Sequence, residues 1–492
     1  MAETSRRKHR IAVLGGGPGG YEAALAGAQL GADVTLIERS GVGGSAVLTD
    51  VVPSKSLIAT ADAITAVRES SQLGVQAFVP DSSGTPVQPE LAMNFAKVNE
   101  RILGMAAAQS EDMRVSLAEA GVRIVFGEGR FESDKRIAVA AADGGEQVEH
   151  IEADTFVIAV GASPRELDSA KPDGERILTW KQLYSLNELP EHLIVVGSGV
   201  TGAEFASAYR ILGSEVTLVS SRERVLPGED QDASDLIERV FKRSGMNVLS
   251  RSRAETVERT DSGVRVTLTD GRVVEGSHCL MAVGSIPNTQ NIGLEHIGVE
   301  TTESGHIAVN KVASTNVPSI YAAGDCTNFY PLASVATMQG RTAIMHALGD
   351  FVRPIDLRNV AANVFTSPEI ATVGFSESDL PGLSELHEKS VVQMIPLATN
   401  PRAKMQGITE GFIKVFASYR TGAVRGAVIV APRASELIFP IALAVEHRLT
   451  VDQIASAFTV YPSLTGSIAD IARALHVRYC LLYTSPSPRD RG

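Results

Sequence analysis

The sequence predicts an α/β fold: two parallel-sheet βαβ domains, followed by an α+β domain at the C-terminus. Three observations carry that reading. They are an internal repeat, a second pair of matching strand–turn segments, and a change of pattern beyond about residue 350.

The repeat comes first. "IAVLGGGPGGYEAALAGAQLGADVTLIE" (11–38) and "LIVVGSGVTGAEFASAYRILGSEVTLVS" (193–220) align without a gap at a shift of 182 residues and agree at 12 of 28 positions. Each reads as an apolar strand, a Gly-x-Gly-x-x-Gly turn, a helix and a second β-branched strand, the context that gives the glycine pattern meaning. In such a turn Gly15 and Gly197 permit the bend, and Gly17 and Gly199 let the backbone approach a pyrophosphate. Gly20 and Gly202 let helix and strand pack closely. The pyrophosphate then faces the positive end of the helix dipole. Two turns of this kind imply two Rossmann-like dinucleotide-binding domains. Glu38 closes the second strand of the first unit, where a carboxylate can bind adenosine ribose hydroxyls; the equivalent position in the second unit is Ser220.

"FVIAVGASPR" (156–165) and "CLMAVGSIPN" (279–288) are the second matching pair. Each is an apolar strand entering Val-Gly and then Pro, as if the chain returned across the end of each nucleotide domain. "VPSIYAAGDCTN" (317–328) is a further strand, ending in Gly-Asp. Asp325 is placed to accept from a sugar or ribityl hydroxyl; an ordinary turn aspartate is the other reading. Residues 52–120 read as mostly helical, with apolar residues at helical spacing in "LAMNFAKVNERILGMAAAQ". Beyond 350, "GFIKVFAS" and "VRGAVIVA" read as strands. "ELIFPIALAVEH" reads as a helix apolar enough for either a core or a subunit interface.

Composition narrows the class. The chain has 492 residues, 44% apolar, with 45 basic against 57 acidic side chains and a net charge of −12. That length implies two to four domains, and the charge argues against a nucleic-acid binder. Three cysteines without close spacing argue against a disulfide framework or a metal site and for a reducing, cytoplasmic setting. The apolar run after the basic "MAETSRRKHR" breaks at glycine, too early for a signal-peptide core. The longest apolar run near the C-terminus, 437–445, contains a proline and falls short of the roughly 20 residues a membrane span needs, so membrane contact is expected to be peripheral at most. The ending "YCLLYTSPSPRDRG" (479–492) differs in style from everything before it and reads as a non-native tail or else a disordered one.

The order of Gly15-x-Gly17-x-x-Gly20, Gly43-Gly44, Pro53-Ser54-Lys55, Gly197-x-Gly199-x-x-Gly202-x-Glu204, Gly324-Asp325 and "TSPEIATVG" (366–374) resembles the pyridine nucleotide–disulfide oxidoreductases, the family of dihydrolipoamide dehydrogenase and glutathione reductase. The resemblance covers roughly residues 8–476 and implies FAD in the first unit, NADPH or NADH in the second, and a C-terminal domain that makes a homodimer. It implies an FAD domain at 1–165 and 285–350, an NAD(P) domain at 166–284 and a dimerisation domain at 351–476. Gly161, Gly284 and Ala333 complete the cofactor positions it implies. Lys55 and Glu204 match the family pair beside the flavin N5, where a cation favours negative charge and a carboxylate holds the cation in place.

The departures matter as much. The family pattern Gly-Gly-Thr-Cys-x4-Cys-x-Pro-Ser-Lys has Ala46 and Val51 at its cysteine positions here. The family's C-terminal His-Pro-x-x-x-Glu is "YPSLTG", with Tyr461 for the histidine and Gly466 for the glutamate. A disulfide relay is therefore not expected, and a tyrosine with a reference pKa of about 10 is a poor base near neutrality. Cys326 has no second cysteine nearby and reads as a buried bystander. Lost cysteines beside a retained flavin half-site resemble the family's actinobacterial branch of NAD(P)H quinone dehydrogenases. That implies hydride transfer from nicotinamide to FAD and then directly to a quinone. Two other functions fit: a transhydrogenase between NAD(H) and NADP(H), and a non-enzymatic FAD-binding subunit, the last opposed by Lys55 and Glu204. Ser220 in place of a carboxylate, with Arg222 and Arg224 following in "SSRERVLP", favours use of NADPH, unless both arginines are merely solvated.

Overall fold

The computed structural model describes residues 7–75, 79–80, 83, 86–87, 93–141, 148–385 and 389–483. The chain divides into two compact units, the first made of 1–57, 94–188 and 281–357, the second of 58–93, 189–280 and 358–492.

The sheet of the first unit runs Ile320–Ala322, Thr155–Ile158, Arg10–Leu14, Asp33–Glu38, Arg123–Ser133, Arg136–Ala141, Val148–Glu152. The first five strands are parallel and the last two are added antiparallel. Strand Arg10–Leu14 shows why the parallel part reads as unbroken apolar sequence. Its Ile11 and Val13 join a core with Ala23, Ala24 and Ile344 of the helices Pro18–Gln29 and Ala333–Ala347. Its Ala12 and Leu14 join another with Phe131 and Phe156. A strand buried on both faces has no polar side to alternate with.

The strands of the two return segments lie in separate sheets, Thr155–Ile158 beside Arg10–Leu14 and His278–Met281 beside His192–Val196, as expected of the ends of two βαβ units. Ala162–Pro164 and Ser285–Pro287 pair with each other as an antiparallel ribbon, and the Asn288 N–H donates to Gly161 O at 2.9 Å. This ribbon after the two strands lies in the first unit.

The second unit repeats the βαβ plan with parallel strands His192–Val196, Glu215–Val219 and Asn247–Leu249. Its other large sheet is antiparallel, in the order Ala361–Val364, Glu369–Gly374, Val424–Ala431, Phe412–Ser418, Ser390–Pro396. The two strands read from "GFIKVFAS" and "VRGAVIVA" lie in it as neighbours. Ile413, Val415 and Ile429 share a core with Ile441, Ile468 and Ile471. Helix Phe439–Glu446 divides its apolar surface: Ile441, Ala444 and Val445 are buried, while Phe439 and Leu443 are exposed in the single chain. In the predicted helical insert, helices Val51–Glu69 and Phe95–Glu119 form, the second capped by Asn94 accepting from the Lys97 N–H at 3.0 Å. Most of 76–92 lies outside the described residues. The last helix, Gly466–Tyr483, runs into the segment whose composition looked foreign, and 484–492 lie outside the described residues.

A buried lysine ties the two parts of this unit together. Lys414, on strand Phe412–Ser418, is 2% exposed at its side chain. Its ammonium donates to both carboxylate oxygens of Asp230 at 2.9 Å and to Glu377 at 2.7 Å, and it lies 2.6 Å from Asp232. Asp230 also caps helix Gln231–Arg243 through the Asp232 and Ala233 N–H groups. Burial alone would push the ammonium pKa down, but the three carboxylates outweigh it and the pKa is raised. These acids are the one group at metal-ligand spacing among the described residues, and the ammonium stands among them. Among the described residues, no helix is long and apolar enough to cross a membrane.

Candidate dinucleotide sites

In the first unit Gly15 adopts φ +100° and donates its N–H to Ile37 O at 2.8 Å; a Cβ there would lie 2.3 Å from Ala159 O. A Cβ at Gly20 would lie 1.8 Å from Gly15 O, so helix and strand pack at a distance only glycine permits. Gly17 is the opposite case: a Cβ there meets nothing within 4 Å. The twelve-residue helix Pro18–Gln29 starts there with no side-chain cap, so its first N–H groups face the open side of the turn. This is the room and polarity a pyrophosphate requires.

The second glycine pair folds onto the first turn. The Gly43 N–H donates to Gly16 O at 2.7 Å, and a Cβ on Gly44 would lie 2.9 Å from Gly17 Cα. Glu38 is 5% exposed. One carboxylate oxygen accepts from the Gly16 N–H at 2.6 Å and the other from the Ser40 and Gly41 N–H groups at 2.7 and 3.2 Å.

Ala46 lies in the short helix Gly44–Leu48 and Val51 opens helix Val51–Glu69, which carries half-buried Lys55. Asp325 follows Gly324 (φ +83°), whose N–H donates to the fully buried Gln339 Oε1 at 2.8 Å. Burial raises the Asp325 pKa, and no donor of the chain reaches its carboxylate among the described residues. A desolvated acceptor without a protein partner fits a ligand hydroxyl. Sequence reasoning missed Gln339, a helix residue whose amide also donates to Thr327 Oγ1 at 3.2 Å and fixes this turn. No local pattern marks it. Ala333 is the first residue of a fifteen-residue helix without a side-chain cap. Gly161 (φ +65°) and Gly284 (φ +94°) both leave open space where a Cβ would stand. Cys326 is fully buried against backbone carbonyls, and burial pushes its thiol up to about 12. A thiol so held is inert.

The second unit repeats the turn. Gly197 adopts φ +114° and donates to Val219 O at 3.0 Å, Gly199 leaves open space, and helix Val200–Leu212 starts without a side-chain cap. The strand end differs. Ser220 is fully buried, its hydroxyl 2.7 Å from Ser198 Oγ and 3.2 Å from the Arg222 N–H. Arg222 is exposed and Arg224 half-exposed, while Glu223 is ion-paired with Arg251. Gly202 and Glu204 lie on the helix; Glu204, 4% exposed, accepts from the Phe365 N–H at 2.8 Å, which ties the helix to the start of "TSPEIATVG". Tyr461 is 82% exposed, next to exposed Val460.

Two glycine turns, each open where a pyrophosphate fits, are the geometry of a protein that binds two dinucleotides. The chain belongs to the pyridine nucleotide-disulphide oxidoreductase family, whose profile matches residues 9–340, with the family's dimerisation domain matching 360–472. The family uses FAD and NAD(P)H. Among similar proteins is an NAD(P)H dehydrogenase (quinone) of Mycobacterium tuberculosis, 49% identical over 475 residues, covering 95% of this chain and 94% of the relative. Dihydrolipoyl dehydrogenase 2 of Haloarcula marismortui is 33% identical over 94% of this chain and 96% of its own. The crystal structure of LpdA from Mycobacterium tuberculosis superposes with a TM-score of 0.88 at 48% identity, covering 95% of this chain and 99% of the other.

Proposed function

We propose that the protein is an FAD-dependent NAD(P)H:quinone oxidoreductase that works as a homodimer without a disulfide relay. The observation that carries this reading is a selective loss. Ala46 and Val51 stand where a reactive disulfide would, and Tyr461 and Gly466 where its acid–base partners would, while both nucleotide turns, Lys55 and Glu204 remain. The similar mycobacterial protein that bears the name NAD(P)H dehydrogenase (quinone) supports it.

FAD, when bound, supplies the two-electron chemistry that links nicotinamide to acceptor. The residues divide the remaining work. Gly15, Gly17 and Gly20 seat one pyrophosphate and Gly197, Gly199 and Gly202 the other. Glu38 and Asp325 accept from sugar and ribityl hydroxyls. Lys55 supplies the positive charge that hydride delivery calls for, and Glu204 supplies a buried carboxylate. Arg222 and Arg224 receive the adenosine 2′-phosphate of NADPH. Tyr461 offers an exposed phenol on the dimerisation domain. The exposed side chains of Phe439, Leu443, Phe458 and Val460 in that domain suit cover by a second copy. The domains are 1–165 with 285–350 for FAD, 166–284 for NAD(P)H and 351–476 for dimerisation.

Rapid-mixing reduction by NADPH and NADH, followed by reoxidation with a quinone panel, NADP⁺, NAD⁺ and lipoamide, tests the reading. Fast reoxidation by quinone and none by lipoamide is expected. Thiol formation from lipoamide at a comparable rate would overturn it, and preferential reoxidation by a second nicotinamide would make the protein a transhydrogenase. Light scattering checks the dimer.

A further inference from the structure

Glu223 lies between the two arginines assigned to the 2′-phosphate. Left free, it would cancel one of them and repel the phosphate. The structure pairs it with Arg251, 28 residues further along the chain. The backbone places that partner. The Arg251 N–H donates to Arg222 O at 2.8 Å and the Ser252 N–H to Ser220 O at 2.7 Å, so the segment after strand Asn247–Leu249 is laced to the turn after strand Glu215–Val219. Arg251 stands at φ +53°, the left-handed region that side chains other than glycine rarely adopt. Arg272 and Asp270 are paired with each other, Arg272 also donates to Ser252 Oγ at 2.6 Å, and Glu238, which accepts from the Val225 N–H at 3.4 Å, is paired with Lys242. Glu223 therefore has its cation, Ser220 contributes no charge, and Arg222 and Arg224 are left to face a ligand.

We propose that Arg251 is a specificity-determining residue for the nicotinamide dinucleotide: by neutralising Glu223 it keeps the Arg222–Arg224 rim positive enough for a 2′-phosphate. The inference rests on the NADPH reading above. Both partners are well exposed, so their pairing adds little to fold stability. Its consequence is electrostatic and local, and it fades with salt.

The test is kcat/KM for NADPH and NADH with a fixed quinone, at low and physiological ionic strength, on FAD-loaded enzyme. Arg251→Gly removes the guanidinium and suits the left-handed backbone, so folding is retained. It is expected to lower kcat/KM for NADPH about fivefold, through KM, with NADH changed less than twofold. Arg251→Lys keeps the charge and should keep the NADPH/NADH ratio. Adding Glu223→Gln to Arg251→Gly should restore the ratio, because the carboxylate being screened is gone. An unchanged ratio in Arg251→Gly overturns the proposal. So does a double variant no better than Arg251→Gly, which would make Arg251 a phosphate ligand instead of a screen. Arg222→Gln with Arg224→Gln separates the two levels. If that variant keeps its NADPH preference, the underlying reading fails; if it loses it while Arg251→Gly does not, only the present inference fails.

Discussion

The two glycine turns are built alike and finished differently. Gly15 and Gly197, 182 residues apart, both take left-handed φ and both donate to the end of the neighbouring strand, at Ile37 O and Val219 O. At the rims the likeness ends. Glu38 folds its carboxylate back onto the Gly16 N–H, whereas Ser220 meets Ser198, the residue equivalent to Gly16, hydroxyl to hydroxyl. Glu22 and Glu204 hold the same repeat position, yet Glu22 pairs with Arg341 while Glu204 takes the Phe365 N–H. Backbone geometry for a pyrophosphate is what the duplication preserves. What differs between the two turns is a few polar and charged positions around it.

The strongest way to break the likeness is at the glycines themselves. Gly20→Ala places a Cβ 1.8 Å from Gly15 O, so helix and strand must part, and loss of folded protein is expected. Gly17→Ala adds its methyl to open space. That variant should fold, with unchanged circular dichroism, but retain at least about tenfold less FAD, because the methyl occupies the pyrophosphate's approach. FAD absorbance per mole of purified protein distinguishes the two. A Gly17→Ala enzyme with full FAD would show that the first turn is not the flavin site.

The next effect belongs to the second unit. Lys414→Met removes a buried cation and leaves Asp230, Asp232 and Glu377 facing one another. Breaking a buried ion pair from one side costs about 3–5 kcal/mol, so the urea midpoint should fall accordingly. In the wild type the raised lysine pKa fixes the sign with pH. Its contribution is complete below the ordinary lysine range and is lost only as pH climbs through the raised value. A Lys414→Met protein as stable as wild type would remove the claim that this cluster fastens the dimerisation sheet to helix Gln231–Arg243.

Lys55→Ala sharpens the comparison from the flavin side. In the proposed role its charge acts as hydride arrives, so flavin reduction by NADPH should slow about 10²-fold while nicotinamide binding weakens far less. Rapid mixing over a range of NADPH concentrations separates the two. A normal limiting rate would make Lys55 a structural residue.

What was legible beforehand follows the same division. Strand, turn and helix were readable because a glycine that must bend and an apolar run buried on both faces leave local, repeated marks. The missing cysteines were readable because Ala46 and Val51 are single letters in a fixed frame. Contacts between distant segments left no mark. Gln339 beneath Gly324, Lys414 against Asp230, and Arg251 beside Glu223 each join residues with no shared periodicity. Helix Phe439–Glu446 stayed ambiguous because a helix apolar all round does not say which face meets the core.

The smallest effect tests the strand end itself. In the first unit a carboxylate holds the N–H of the second turn residue; in the second, paired serines take that place. Ser220→Glu alone would push a carboxylate against Ser198 Oγ. Ser198→Gly with Ser220→Glu removes that obstacle and transplants the first unit's arrangement, with the new carboxylate free to accept from the residue 198 N–H and from ribose hydroxyls. The same charge would repel a 2′-phosphate even with Arg222 and Arg224 in place. The ratio of kcat/KM for NADPH over NADH should therefore fall about tenfold in the double variant, a change of about 1.4 kcal/mol. Most of it should appear in KM for NADPH, since the phosphate is remote from the nicotinamide ring. Ser198→Gly alone adds no charge and should shift the ratio little. A double variant with the wild-type ratio would mean that the arginines alone set the preference and that the uncharged strand end is incidental.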